Sequence, residues 1–277
     1  MITGRTRLIA HLGYPTASFT APMIYNPWFE RKGIEAAVVP MGVRGDDYPE
    51  FLPLLFRLSN VHGALVTMPH KATTAALLDE VSPAVRIAGS CNAILRRDDG
   101  SLYGDMFDGE GFARGAQGKG FEFAGADCLV VGTGGVGSAI AASIAARRPR
   151  LLAVFDTRQA AAEALVARLR AVYPDLAVEL RDNDPAGYDL VVNATPLGMR
   201  ADDPLPLDPQ RLDPRTFVGE VVLAAAMTPL LRAAAAHGCR YLVGTDMLFE
   251  QIPAYLEFFG YGAATTEELR EAARISY

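Results

Sequence analysis

Short apolar runs alternate with helix-spaced segments along nearly the whole chain. Leu8–Leu12 and Ala36–Pro40 read as strands flanking a helical stretch, Pro22–Lys32, that stops at Gly33. Tyr48–Leu58 has helical spacing, and Gly63–Thr67 is a third short strand leading into Pro69-His70-Lys71. A helix over about Ala72–Asp79 is expected next. Asn92–Leu95 should then pair with Leu102–Gly104 across the turn Asp98-Asp99-Gly100. A second series begins near Gly109, with strands at Cys128–Val131, Leu151–Phe155, Ala177–Leu180, Leu190–Asn193 and Val218–Leu223. Arg200–Pro214, rich in proline and aspartate, reads as a surface loop, and Met247–Gly260 returns to helical spacing. Its stripe of Leu248, Ile252, Tyr255, Leu256 and Phe259 marks a helix packed on a domain. Strands alternating with helices predict an α/β fold with mostly parallel sheets and crossover connections.

The glycine string after the first strand of the second series adds chemistry to this pattern. Cys128–Val131 breaks into Gly132-Thr133-Gly134-Gly135-Val136-Gly137, and the helix-forming run Ser138–Arg148 follows. The first glycine permits a tight turn, the second admits backbone close to a pyrophosphate, and the third lets helix and strand pack closely. The phosphates then face the positive end of a helix. Leu151–Phe155 ends in Asp156, about twenty residues past the glycines, where an acid grips the adenosine ribose. The order strand, glycine turn, helix, strand, acid implies an NAD-type cofactor. Asp156 favours NAD, because a carboxylate repels a 2′-phosphate. Arg158, next to Thr157, keeps NADP open.

Composition bounds the rest. At 277 residues, half of them hydrophobic, the chain can fill two domain cores. A net charge of −6 without a long basic block argues against nucleic acid or an anionic membrane as partner. Cys91, Cys128 and Cys239 are too far apart for a ligand pair and suit a reducing compartment. Cys128–Ala146 carries no charge and resembles a membrane span, but glycines interrupt it and Asp127, Arg147 and Arg148 bracket it. No secretory signal precedes Gly13, so the expectation is a soluble, cytoplasmic protein, monomeric or homodimeric. His11, His62, His70 and His237 lack ligand spacing, which argues against a metal.

Several strings outside the glycine loop resemble the shikimate/quinate dehydrogenase family. Ala64-Leu-Val-Thr-Met-Pro-His-Lys71 is similar to its N-V-T-x-P-x-K motif, and Gly89-Ser-Cys-Asn92-Ala to G-A-x-N-T. Gly104-Asp-Met-Phe-Asp108-Gly resembles G-x-N-T-D-G, and Leu190–Met199 contains a string similar to N-A-T-x-x-G-M, with Thr195 in it. Thr228-Pro-Leu-Leu and Gly244–Gln251 resemble the closing motifs. The resemblance implies a substrate domain over 1–109 and 246–277, a Rossmann domain over 110–245 and a site in the cleft. It also implies reversible hydride transfer between a ring secondary alcohol, a cyclic polyol or hydroxy acid, and a nicotinamide. Lys71 matches the family's catalytic lysine and Asp108 its partner aspartate. Desolvation disfavours an ammonium charge and a nearby carboxylate restores it, so such a pair can move a proton near neutral pH. Thr67, Asn92 and Gln251 match positions that bind substrate hydroxyls. Thr133, Thr157, Arg158, Thr195 and Gly244 join the glycines and Asp156 as cofactor-binding candidates.

The chain departs from the family at the carboxylate end of the substrate. The opening motif, roughly G-x-P-x-x-H-S-x-S-P, uses two serines to hold that carboxylate. Here it is Gly13-Tyr-Pro15-Thr-Ala-Ser18-Phe19-Thr20-Ala21-Pro22, with Phe19 and Ala21 in the serine slots. Ser18 and Thr20 lie one residue off. Leu223 stands where a tyrosine is frequent, Met106-Phe107 replaces a polar pair, and Asp246 replaces a glycine. A site whose polar groups are removed loses discrimination for the anion they served. The expectation is a family dehydrogenase with an altered substrate pocket. Two other readings remain: an NAD-binding sensor or scaffold without turnover, and an ordinary shikimate dehydrogenase that binds carboxylate through backbone amides with Ser18 or Thr20.

Overall fold

The structure, a computed structural model, describes residues 2–17, 19–200, 202–222 and 227–274. Two compact units emerge. One comprises Met1–Val85, Gly89–Phe107 and Ile252–Tyr277, the other Arg86–Ala88 and Asp108–Gln251.

In the first unit, β1 (Arg7–Gly13), α1 (Ala21–Lys32), β2 (Ala36–Gly42), α2 (Tyr48–Leu55) and β3 (Val61–Val66) follow the strand–helix alternation. β1 lies between β2 and β3 and is parallel to both, as crossover helices require. The expected helix over 72–79 is corrected to one turn, α3 (Lys71–Thr74), tightening into a 3-10 segment at Ala75–Leu77. Sheet pairing ends it: Leu78 turns extended and Glu80–Val81 becomes β4, which pairs with a later strand. α4 (Pro83–Ala88) was legible in principle from its Ser-Pro start and Gly89 stop. Ser82 Oγ accepts the Val85 amide at 3.2 Å, and Gly89 ends the helix at φ +67°. β5 (Ala93–Arg96) and β6 (Leu102–Asp105) form the expected hairpin, with Leu95 opposite Tyr103. The sheet order is β2-β1-β3-β5-β6-β4, mixed because a tight turn, Gly100 at φ +87°, can join only antiparallel neighbours.

The second unit opens with α5 (Asp108–Gly118) and continues through β7 (Asp127–Val131), α6 (Gly135–Ala146), β8 (Leu151–Phe155), α7 (Gln159–Val172) and β9 (Ala177–Leu180). Then come β10 (Leu190–Asn193), β11 (Phe217–Glu220), α8 (Pro229–Ala236) and β12 (Arg240–Leu242). α9 (Gly244–Phe258) carries the chain back into the first unit, which α10 (Thr266–Ala272) completes. The strand order β12-β11-β10-β7-β8-β9 is parallel throughout. β11 stops at Glu220, short of the expected Leu223, because its partner β10 ends at Asn193 opposite it. Leu223, like Ser18, lies outside the described residues. The Arg200–Pro214 stretch is more than a surface loop. Its Leu207 and Leu212 enter the core beside Val191, Val218 and Leu230, and Pro209–Arg211 makes a 3-10 turn. No helix among the described residues is long and apolar enough to cross a membrane.

In the first unit's core, α1 lays Trp28 edge-on to Phe29, ring centroids 5.7 Å apart, and Phe29 meets Tyr261 at 5.0 Å. Trp28 is fully buried. Trp28→Ala should lower stability by about 3–5 kcal/mol in urea unfolding, since the cavity cannot close over so large a loss.

Candidate active site

The second unit places the glycine string at the point where strand order reverses, between β7 and β10, the usual ligand crevice of such sheets. Gly132 has φ +103°, and a Cβ there would meet the Ala194 carbonyl carbon at 2.8 Å and Thr195 Cγ2 at 2.9 Å. A Cβ on Gly137 would lie 2.0 Å from the Gly132 carbonyl oxygen. The turn is therefore pressed against both its own helix and the β10 loop. Gly134, in contrast, has nothing within 4 Å of a Cβ position, nor does Gly135. Backbone is bared on one side only, as approach by a pyrophosphate requires. These residues fit a dinucleotide.

A cavity of about 670 Å³ opens there, lined by Gly132, Gly134, Asp156, Thr157, Arg158 and Thr195 of the sequence candidates. Thr133 turns toward Asp156, Gly137 packs inside, and Gly244 begins α9 outside this lining. Val136 and Gly135 form the first turn of α6. Among the further lining residues, Asn183, Leu205 and Pro206 come from loops outside every motif and were missed. Asn183 Nδ2 donates to the Pro206 carbonyl at 2.8 Å, a contact between two loops that no local spacing announces.

Asp156 is more committed than the ribose role suggests. Its Oδ2 accepts the Thr133 amide at 2.7 Å and hydroxyl at 2.8 Å, and its Oδ1 accepts the Arg158 amide at 2.8 Å. The Arg158 guanidinium also reaches it, at 3.3 Å. Burial alone raises this carboxyl, but the Arg158 and Thr133 donors outweigh that and hold it well below the usual carboxylate range. The β10 loop has its own anchor. Asn193 Oδ1 accepts the Thr195 hydroxyl at 2.6 Å, while its Nδ2 donates to the Leu197 carbonyl and to buried Glu220. Burial pushes Glu220 up, opposed by hydrogen bonds from Thr228 and Asn193.

Asp108 is buried at the start of α5, whose positive end suits a carboxylate. Close packing fixes that start: a Cβ on Gly109 would sit 2.0 Å from the Ala139 carbonyl oxygen of α6. Arg147 of α6 then forks onto Glu110 at 3.0 and 3.1 Å. Gln251 leans on Gly111, and its Oε1 is buried with no partner among the described residues.

In the first unit, the ends of β1 and β3 and the start of β5 converge. The Thr67 amide donates to the Leu12 carbonyl at 2.9 Å, the Val66 amide to Asn92 at 2.8 Å, and the Cys91 amide to the Lys71 carbonyl at 2.8 Å. The Thr67 and Lys71 segment is thus knitted to the Asn92 segment. Asn92 Oδ1 accepts the Phe107 amide at 2.9 Å, which commits its oxygen to the backbone just before Asp108. Phe19 joins this corner, since a Cβ on Gly13 would meet Phe19 Cζ at 2.7 Å and Thr67 Cγ2 at 2.5 Å. Thr20 precedes α1 without capping it. Among the described residues no cluster of metal-ligating side chains forms.

Two histidines part company here. His70 stacks on Tyr48 at 3.9 Å and bonds the Val43 carbonyl at 2.9 Å, so it faces the core although it adjoins Lys71 in sequence. His11, passed over in the sequence as an ordinary histidine, stacks on Phe19 at 4.1 Å. Burial first, then the charge of Lys71, lowers its pKa to about 4. Strand parity was the available signal, because positions 11 and 13 share a face of β1.

Comparison with known proteins agrees. Residues 12–94 match the shikimate dehydrogenase substrate binding domain. A shikimate dehydrogenase (NADP(+)) from Acidiphilium cryptum is 32% identical over 273 residues, 98% of this chain and 97% of its own. The chain belongs to the shikimate dehydrogenase family. Shikimate 5-dehydrogenase from Listeria monocytogenes, solved with shikimate and NAD, superposes with a TM-score of 0.90 at 26% identity, covering 98% of this chain and 97% of its own. Quinate dehydrogenase from Corynebacterium glutamicum, solved with NAD, gives 0.85 at 30% identity over 96% and 98%. This chain is accordingly an NAD(P)-dependent oxidoreductase of the shikimate/quinate dehydrogenase type, acting on CH–OH.

Two outcomes test the geometry of this dehydrogenase. Gly137→Ala should weaken nucleotide binding at least tenfold in a fluorescence titration, because the glycine turn must leave α6 to admit a methyl group. His11 supplies a pH effect. Its folded pKa is depressed, so as pH falls from about 6.5 to about 4 the unfolded chain takes up the proton first. Stability present above pH 6.5 should therefore decline over that window by on the order of 3 kcal/mol, and His11→Leu should flatten the slope in urea unfolding.

Proposed function

We propose that this dehydrogenase interconverts a ring secondary alcohol and its ketone, with Lys71 carrying the proton at the reacting oxygen and Asp108 as its carboxylate partner. Thr67, Asn92 and Gln251 bind substrate hydroxyls in this reading. The observation that carries it is the knitting of two motifs in one corner of the first unit, where the Lys71 carbonyl holds the Cys91 amide and Asn92 holds Val66. A nicotinamide cofactor, when bound, accepts or returns the hydride. The protein's own part is to hold the alcohol and to take or give the proton, a contribution worth typically a hundredfold or more.

The substrate pocket is altered at the carboxylate end. Phe19 offers no donor and lies against Thr67 and Gly13, where the family's motif has a serine. An anion placed there exchanges water for a phenyl ring, which is unfavourable without compensating hydrogen bonds. NAD is the preferred cofactor, supported by the charged Asp156 at the end of β8.

Lys71→Ala should lower kcat by at least about a hundredfold while leaving NAD binding intact, and an unimpaired variant removes Lys71 from the proton step. Wild-type kcat/KM for shikimate and quinate should fall below about 10⁴ M⁻¹s⁻¹, the lower end of ordinary enzyme values. NAD should give the higher kcat/KM of the two cofactors. Initial-rate measurements with each substrate and cofactor settle all three.

A further inference from the structure

We propose that His11 is a specificity-determining residue: together with Phe19 it turns the carboxylate corner of the family into one that takes a hydroxyl of an uncharged polyol. The inference rests on the altered pocket described above and names what alters it. Residues 11 and 13 share one face of β1, and Phe19 spans both. It stacks on the imidazole at 4.1 Å with 29° between the planes, and it occupies the space a Cβ on Gly13 would need. Thr67 closes the same corner, and the charge of Lys71 is felt at the imidazole. His11 therefore lies under an aromatic cover in the same corner as Thr67, and the charge of the proposed proton carrier opposes its protonation.

The imidazole carries an unmet demand. His11 is buried, and its Nδ1 has no hydrogen-bond partner among the described residues. A polar atom left unpaired in the interior is costly, so one that persists calls for a partner from outside the chain. Phe19 is only half-buried and belongs to the segment between β1 and α1, so the ring that covers the face of His11 stands at the protein surface, beside Thr67.

Charge decides which ligand. Burial and Lys71 both oppose protonation of His11, so near neutral pH it is no counter-ion for a carboxylate. Phe19 and Ala21 bring no donors. A hydroxyl, by contrast, both donates and accepts, so it satisfies Nδ1 in either tautomer. The C–H face of a polyol ring can meanwhile lie against the phenyl group. One arrangement thus welcomes an uncharged polyhydroxylated substrate and penalises its carboxylated counterpart.

The test is initial-rate kinetics with NAD and a panel of uncharged cyclic polyols, beside shikimate and quinate, for wild type, His11→Phe, His11→Asn and Phe19→Ser. Nucleotide titration of each variant verifies that it is folded. Wild type should use at least one uncharged polyol with kcat/KM tenfold or more above either acid. His11→Phe should raise KM for that polyol about tenfold with little change in kcat. His11→Asn, whose amide stands near the place of Nδ1, should restore most of it, which a merely space-filling role would not predict. Phe19→Ser should shift the ratio at least tenfold toward the acids. Turnover of none of the uncharged polyols overturns the proposal, as does an unchanged KM in His11→Phe. Wild-type use of shikimate at ordinary rates sinks the altered pocket itself. Poor use of shikimate with an unchanged KM in His11→Phe sinks only the role of His11.

Discussion

A Cβ at Gly137 would stand 2.0 Å from the Gly132 carbonyl oxygen, and one at Gly132 would run into Ala194. This double exclusion governs the second unit. It lets β7 turn abruptly into α6, and it lets the β10 loop lie flush against the turn, which brings Thr195 and Asp156 to the same cavity. Only the outer glycines, Gly134 and Gly135, face open space. The same glycine-rich string thus does two opposite things, sealing one side by contact and baring the other. Polar anchoring completes it: Asn193 and buried Glu220 fix the β10 loop, and Thr228 joins Glu220 to the start of α8.

The first unit builds its corner around Thr67 and Asn92 by other means. There the backbone carries the geometry, through amide–carbonyl bonds among β1, β3 and the approach to β5. Side chains then differentiate the corner. His70 and Tyr48 turn into the core, His11 and Phe19 remain at its edge, and Asn92 commits its oxygen to Phe107. Backbone knitting of this kind tolerates exchange of the side chains around it, Phe19 among them, while the Thr67–Lys71 segment keeps its place.

Period and punctuation made most of this legible in the sequence. The α/β class, the hairpin of β5 and β6, the glycine turn and the acid after β8 all rest on local signals, and all appear. The failures were cases where distant pairing overrode local preference. The stretch after Lys71 has a helical look, yet β4 pulls it into the sheet after one turn. Leu207 and Leu212 sit among prolines and aspartates, yet the space beside β11 and α8 draws them inside. Asn183 and His11 carried no motif. Their importance depends on which loop or ring ends up beside them, a fact of tertiary packing that spacing does not record.

The anchoring of Asp156 has a consequence for anyone wishing to redesign coenzyme choice. Asp156, which lines the cavity beside the glycine turn, also holds the Thr133 amide and hydroxyl, so it is a strut of that turn. Exchanging it for a neutral residue would loosen the glycine turn itself. Arg158, whose side chain is 70% exposed, touches the turn only through Asp156, so its exchange would disturb the glycine turn less directly than a change at the acid two residues upstream.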